Sequence, residues 1–202
     1  MKFPRRKILE LATGAALLPT ASRFVLAQNY PIRPVRLIAG FSPGGVVDMW
    51  ARLIGQWLSE RFGQQFVIEN RSGASSNIAA EYVAQAFADG YTLLLASSTN
   101  SWNTAIYERL NFDFLRDFAP VASITLGYGV MEVNQAFPAK SVSEFIAYAK
   151  ENPGKAVMGT AGSGSAPHVY GELFKAMAGI DLLTVHYRGT GSALPDLLSN
   201  RV

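Results

Sequence analysis

The 202 residues contain no cysteine and only two histidines, His168 and His186. The first absence excludes a disulfide scaffold, thiolate-held zinc, iron–sulfur clusters and any thiol nucleophile. The second, with no His-x-x-x-His pair, argues against a transition-metal site. Charge is also scarce, at 16% of residues against 49% hydrophobic. A chain this apolar buries enough surface to offset its ordering entropy, so disorder is excluded. Past the first 27 residues no segment approaches 18 consecutive apolar residues, which leaves no candidate membrane-spanning helix there.

The amino-terminal segment accounts for the one charge imbalance. Lys2, Arg5, Arg6 and Lys7 precede an apolar stretch from Ile8 to Leu18, and Val25-Leu26-Ala27 supplies a small-residue cleavage site. This is the pattern of an export signal over residues 1–27, and its tandem arginines resemble a twin-arginine signal. The segment carries five of the 18 basic and one of the 15 acidic residues, so 13 basic and 14 acidic residues remain, turning +3 into −1. The basic character belongs to the signal, and with it goes the argument for a nucleic-acid partner.

Beyond the signal the pattern alternates between strands and helices. Strands are predicted at 35–39, 66–69, 92–96, 156–159 and 183–186, with helices at 46–62, 77–87 (N-capped by Asn77 or Ser76), 142–152, 167–178 and from Ser192. Gly63 ends the first helix, and Ser141-Val142-Ser143-Glu144 is a capping box. Val47, Trp50, Ile54, Trp57 and Leu58 recur at helical spacing, which places Trp50, Trp57 and Phe62 in the core. Residues 111–133 are rich in aromatic and β-branched side chains and predict a long strand or strand pair leading away from the first sheet. Such strand–loop–helix repetition specifies an α/β fold with parallel sheets, read as a first lobe over 28–125 and a second over 126–202.

The loops that follow the strands are the informative feature. They are Phe41-Ser42-Pro43-Gly44-Gly45, Ser72 to Ser76, Ser97 to Asn100, Thr160 to Ser165, and Tyr187-Arg188-Gly189-Thr190. Ligands of open α/β sheets bind at strand carboxyl ends, where glycine and hydroxyl residues offer backbone amides to anions. Turn chemistry alone favours the same residues. Five such loops together point to a small anionic guest. No nucleophile elbow and no phosphate-binding lysine loop is present around Gly162-Ser163-Gly164-Ser165, so no catalytic residue is assigned. Asp48, early in the first helix, suits the helix dipole or a ligand donor in the cleft.

An ordered series of motifs then carries a resemblance. Tyr30-Pro31-x-Arg33-Pro34-Val35-Arg36-Leu37-Ile38 leads into Gly40-Phe41-Ser42-Pro43-Gly44-Gly45-x-x-Asp48. Glu69-Asn70-Arg71-x-Gly73-Ala74, Asp89-Gly90-Tyr91-Thr92-Leu93-Leu94 and Asp117-Phe118-Ala119-Pro120-Val121 follow. Ala149-Lys150-x-Asn152-Pro153-Gly154-Lys155, His168, Gly171-Glu172-Leu173-Phe174 and Tyr187-Arg188-Gly189 complete it. The series resembles the Bug-type receptors of tripartite tricarboxylate transporters.

That resemblance implies a periplasmic-binding-protein-like fold of type II, whose two α/β lobes close on a small carboxylated ligand. It assigns Phe41, Ser42, Gly44, Gly45 and Asp48 to a carboxylate clamp, partly through bridging waters. Ser75 and Ser98 line the same lobe; Thr160, Gly162, Ser163, Ser165 and His168 face them, with Tyr187 and Arg188 nearby. It implies a membrane permease as partner, a periplasmic location, a monomer and no cofactor. Val46-Val47, Ser72 and Ser75-Ser76 depart from the family's usual residues and make this rim its own. Because two lobes of about 150 residues each are the usual size, the resemblance also implies that the second lobe and its return crossover are incomplete at Val202. Two other readings stand beside the receptor: an enzyme using His168 with Arg188 on a carboxylated substrate, and a non-functional fragment.

Overall fold

A computed structural model describes residues 30–202; the signal assigned to 1–27 lies outside the described residues. The chain first builds a parallel sheet from β1 (Val35–Ala39), β2 (Phe66–Asn70) and β3 (Thr92–Leu95), in the order β2-β1-β3. Helix α1 (Val46–Phe62) links β1 to β2, and the short α2 (Asn77–Ala84) links β2 to β3. β1 pairs with both neighbours and is the buried centre, with Val35, Ile38 and Ala39 fully inaccessible. Leu37, Ala39, Ala51 and Leu95 form the core under α1, with Val47, Trp50, Ile68 and Leu93 against them. Helix α3 (Ser98–Ile106) follows β3 directly.

A second parallel pair, β4 (Val157–Thr160) with β5 (Leu183–His186), lies between α4 (Val142–Glu151), α5 (Ala166–Ala178) and α6 (Thr190–Leu198). Its core gathers Ala139, Phe145, Ala149, Ala156 and Leu182, with Phe137, Tyr148 and Phe174 packed against it. Local signals set these boundaries. Gly63 takes the left-handed conformation (φ 67°) that ends α1, and Gly179 (φ 61°) does the same for α5. Ser141 Oγ accepts the Glu144 N–H, while the Glu144 carboxylate accepts the Lys140 N–H rather than that of Ser141. Among the described residues no helix is long and apolar enough to cross a membrane.

Four expectations are corrected. Residues 119–133 form no strand and are exposed throughout. β-Propensity is realised only against a neighbouring strand, and this stretch has none among the described residues. Ser97 to Asn100 is not a loop but the opening of α3, where the Ser97 N–H donates to Asn100 Oδ1 at 3.0 Å. Ser76 precedes α2 in a left-handed conformation and makes no side-chain cap, because its hydroxyl accepts from Asn100 Nδ2. Trp57 (54% exposed) and Phe62 (45%) are outside the core. The sheet is met instead by Ala51 and by Gly55, where an added Cβ would lie 2.7 Å from Ile68 Cδ1. Trp57 stands about 200° around the helix from Gly55.

These differences in pairing predict a gradient of amide protection. Exchange over 121–133 is expected near the rate of an unstructured chain, and over 35–39 to be limited by global opening. Hydrogen exchange read by mass spectrometry checks both.

Candidate functional site

In the order β2-β1-β3 the connections diverge at β1, so the carboxyl ends of β1 and β3 mark a switch point where ligands of α/β sheets bind. The loops after these strands meet those after β4 and β5. The Ser42 N–H donates to the Arg188 carbonyl at 3.1 Å, and the Ala166 N–H to Thr99 Oγ1 at 3.1 Å. Ser75 Oγ donates to the Ser163 carbonyl, which Tyr107 Oη also reaches at 3.4 Å. Gly191 is required at this junction: a Cβ there would fall 2.3 Å from the Pro43 carbonyl and 2.8 Å from the Gly45 nitrogen.

The loops enclose a cavity of about 190 Å³. Six of the residues singled out from the sequence line it: Phe41, Ser75, Gly162, Ser163, Tyr187 and Arg188. Gly73, Ala74, Tyr107 and Ala161 complete the wall. No carboxylate contributes to it. Tyr187 Oη donates to Asp196 Oδ2 at 2.6 Å, which fixes the ring. The Arg188 guanidinium has no carboxylate partner among the described residues.

The other eight lie outside the wall. Gly44 donates its N–H to Asp48 Oδ2 at 2.9 Å, and Gly45 donates to the Ser42 carbonyl at 3.4 Å. The Asp48 carboxylate is buried and also accepts Arg52 Nε at 3.0 Å, so it ties the loop to α1. Burial raises its pKa, but the bonds from Arg52, Gly44 and Asn70 and the Arg52 charge outweigh this and hold it below the usual range. Ser98 is exposed on the first turn of α3. Thr160 is buried with Oγ1 2.8 Å from His186 Nδ1. The hydroxyls of Ser42 and Ser165 are buried and meet no hydrogen-bond partner among the described residues.

His168 sits in the first turn of α5, where Nδ1 accepts the Gly164 N–H at 3.0 Å. Its ring meets His186 edge-on at 4.9 Å, and Nε2 stands 3.8 Å from Glu172. Burial, then the His186 and Lys175 charges, depress its pKa against the pull of Glu172, favouring the neutral acceptor.

The wall around Ser75 has an unusual backbone. Ala74, Ser75 and Ser76 all have positive φ (44°, 49° and 72°), conformations that cost L-residues about 1–3 kcal/mol each. Asparagines hold this turn. Asn103 Nδ2 donates to the Ser75 carbonyl at 2.8 Å and to Asn77 Oδ1 at 2.7 Å. Asn100 Nδ2 donates to Ser76 Oγ at 3.1 Å. Gly40 leaves room for this, since a Cβ there would lie 1.8 Å from Ser76 Oγ. In the sequence Asn100 falls in the Ser97 to Asn100 segment and Asn77 at a helix start, while Asn103 carries no assigned role. Their signal was available, because asparagine is a poor helix former and two three residues apart share one face.

Two parallel α/β layers that meet loop to loop around a small, acid-free cavity are the architecture of a solute-binding protein of the periplasmic type. Residues 50–202 match the family model described as "Tripartite tricarboxylate transporter family receptor" (TctC). Among curated proteins, the chain is 36% identical over 200 residues to a protein from the tcbD–tcbE intergenic region of Pseudomonas sp. (strain P51), covering 98% of this chain and 59% of that one. It is 34% identical to BugT of Bordetella pertussis, covering 88% of this chain and 55% of BugT. Among solved structures, an R. palustris protein with adipate superimposes with a TM-score of 0.82 at 41% identity, over 86% of this chain and 58% of that one. MatC from Rhodopseudomonas palustris with bound malate gives 0.74 at 30% identity, over 86% and 59%. The chain belongs to the TctC family of receptors, in its Bug branch, and spans a little under 60% of the length of these relatives.

Two outcomes follow from this geometry. Ala74→Gly removes a left-handed penalty, partly offset by unfolded-state entropy. It is expected to add about 1 kcal/mol, or about 2–4 °C of Tm, by calorimetry. His168 has a folded pKa below its unfolded value of about 6.5, so its contribution is complete above that pH and is lost as pH falls through the folded value. His168→Asn, which keeps an acceptor for Gly164, is expected to flatten the fall of stability below about pH 6.5, measured by urea unfolding.

Proposed function

We propose that this chain is an exported receptor that captures a small carboxylated solute and presents it to a membrane permease of the tripartite tricarboxylate type. One observation carries the reading: the cavity between the sheet ends holds Arg188, hydroxyls and glycine backbone, and no carboxylate. Such a lining attracts an anion and disfavours a cation. The relatives solved with adipate and with malate support the same ligand class. The signal over 1–27 gives the export route and the lobes over 28–125 and 126–202 the closing surfaces, in a monomer. The residues placed behind the wall, Ser42, Gly44, Gly45, Asp48, Thr160, Ser165 and His168, act by fixing the loops, and Ser98 borders the same end of β3.

A ligand that binds only the folded state stabilises it by about 2.7 kcal/mol at a hundred times its Kd, about 5–10 °C of Tm for a chain of this size. Malate and adipate are therefore tested by thermal shift and titration calorimetry, with adipamide as the uncharged control. Stabilisation by at least one acid, none by the diamide, and loss of the effect in Arg188→Gln are expected. No shift with either acid, or an undiminished shift in Arg188→Gln, overturns the reading.

A further inference from the structure

We propose that Asn103 is a positioning residue for the cavity: from behind the wall, it holds the left-handed turn that aims Ser75 at the ligand space. The inference rests on the carboxylate reading for its ligand, but not for its mechanics.

Asn103 is fully buried on α3 and is not among the residues that line the cavity. Its two amide hydrogens are spent on one task. One goes to the Ser75 carbonyl at 2.8 Å and the other to Asn77 Oδ1 at 2.7 Å, so it joins the turn to the first residue of α2. Its own Oδ1 accepts nothing among the described residues. The side chain therefore works as a donor pair, and a donor pair is what a carbonyl and an amide oxygen require. Asn100 adds one bond to Ser76, one turn earlier on α3.

The held backbone is one the chain would not otherwise adopt. Three successive residues other than glycine have φ between 44° and 72°. In that conformation Ser75 Oγ crosses the junction to the Ser163 carbonyl, and an added Cβ on Gly162 would lie 2.9 Å from it. If the turn relaxed toward ordinary φ, Ser75 would leave the wall, and both the polar lining and the contact with the 160–165 loop would change. Asn103 thus acts on ligand binding through Ser75, not by contact.

The decisive variant is Asn103→Asp, which preserves shape and replaces the donors by acceptors facing acceptors. Its partner is Ala74→Gly, which lowers the cost of the turn without touching an asparagine. Hydrogen exchange over 72–78 is expected to rise at least tenfold in Asn103→Asp relative to 35–39, and Ala74→Gly in the same chain is expected to reverse most of that rise. Unchanged exchange, or an equal rise over 35–39 that Ala74→Gly does not correct, overturns the proposal. If Asn103→Asp fails to fold, recovery of the fold by Ala74→Gly supports the proposal and failure to recover it overturns it.

Adipate titration then reads the effect on the site. Asn103→Asp is expected to weaken binding at least tenfold at a temperature where it is fully folded, with affinity returning in the double variant. Adipate affinity equal to that of the parent chain overturns the proposal. If the parent chain binds no acid, the carboxylate reading fails and the exchange result alone decides this one.

Discussion

The structure depends on how closely two backbones approach at the junction of its sheets. Gly191 lies against the Pro43 carbonyl and the Gly45 nitrogen, Gly189 lies against Ser42, and the Ser42 N–H is bonded to the Arg188 carbonyl. No side chain fits between these strands of loop. Glycine is used here because a Cβ would force the layers apart, with the cavity wall attached to each. Everything chemical about the site follows from that contact. It brings Arg188 and Tyr187 from β5 to Phe41 from β1, and it sets the gap that Ser75 spans to reach Ser163.

The loops on the first sheet are stiffened from within. Asp48 is the clearest example: a buried carboxylate tolerated because the Gly44 N–H and Arg52 Nε both donate to its Oδ2. Burying a charge is costly unless it is paired and hydrogen-bonded, so this acid makes the Gly44 turn rigid rather than reactive. His168 plays the matching part on the second sheet, accepting from Gly164 as the neutral base that its surroundings favour. A pre-set site loses less entropy on binding than one that must be ordered. Here the ordering is done by polar side chains placed behind the wall.

Much of this was legible in the sequence, for identifiable reasons. β1 and α1 are short-range objects: an aliphatic run, a glycine turn, a helical period and Gly63 settle them locally. β5 matches its predicted range, Leu183–His186, which leads into the Tyr187-Arg188-Gly189 loop. The site was half legible. Six of the residues anticipated from the glycine–hydroxyl loops line the cavity. What the loops do not announce is which amides are already used, as Gly44 and Gly45 are.

The unread parts all depend on distant partners. Residues 119–133 have the composition of a strand, but strand character is a property of a pair and no strand lies beside them among the described residues. Trp57 follows the helical period, yet Ala51 and Gly55 win the sheet-facing side because a close helix–sheet approach admits small residues and excludes large ones. Asn103 is the strongest case. In a linear reading it is one polar residue in a polar helix. Its meaning arises 28 positions away, in a turn whose φ values no sequence rule anticipates for Ala-Ser-Ser. A left-handed run of this kind persists only where its surroundings over-determine it. The two buried asparagines and the absence of a side chain at Gly40 are those surroundings, so the strain at the cavity and the polar core of α3 are one device in two places.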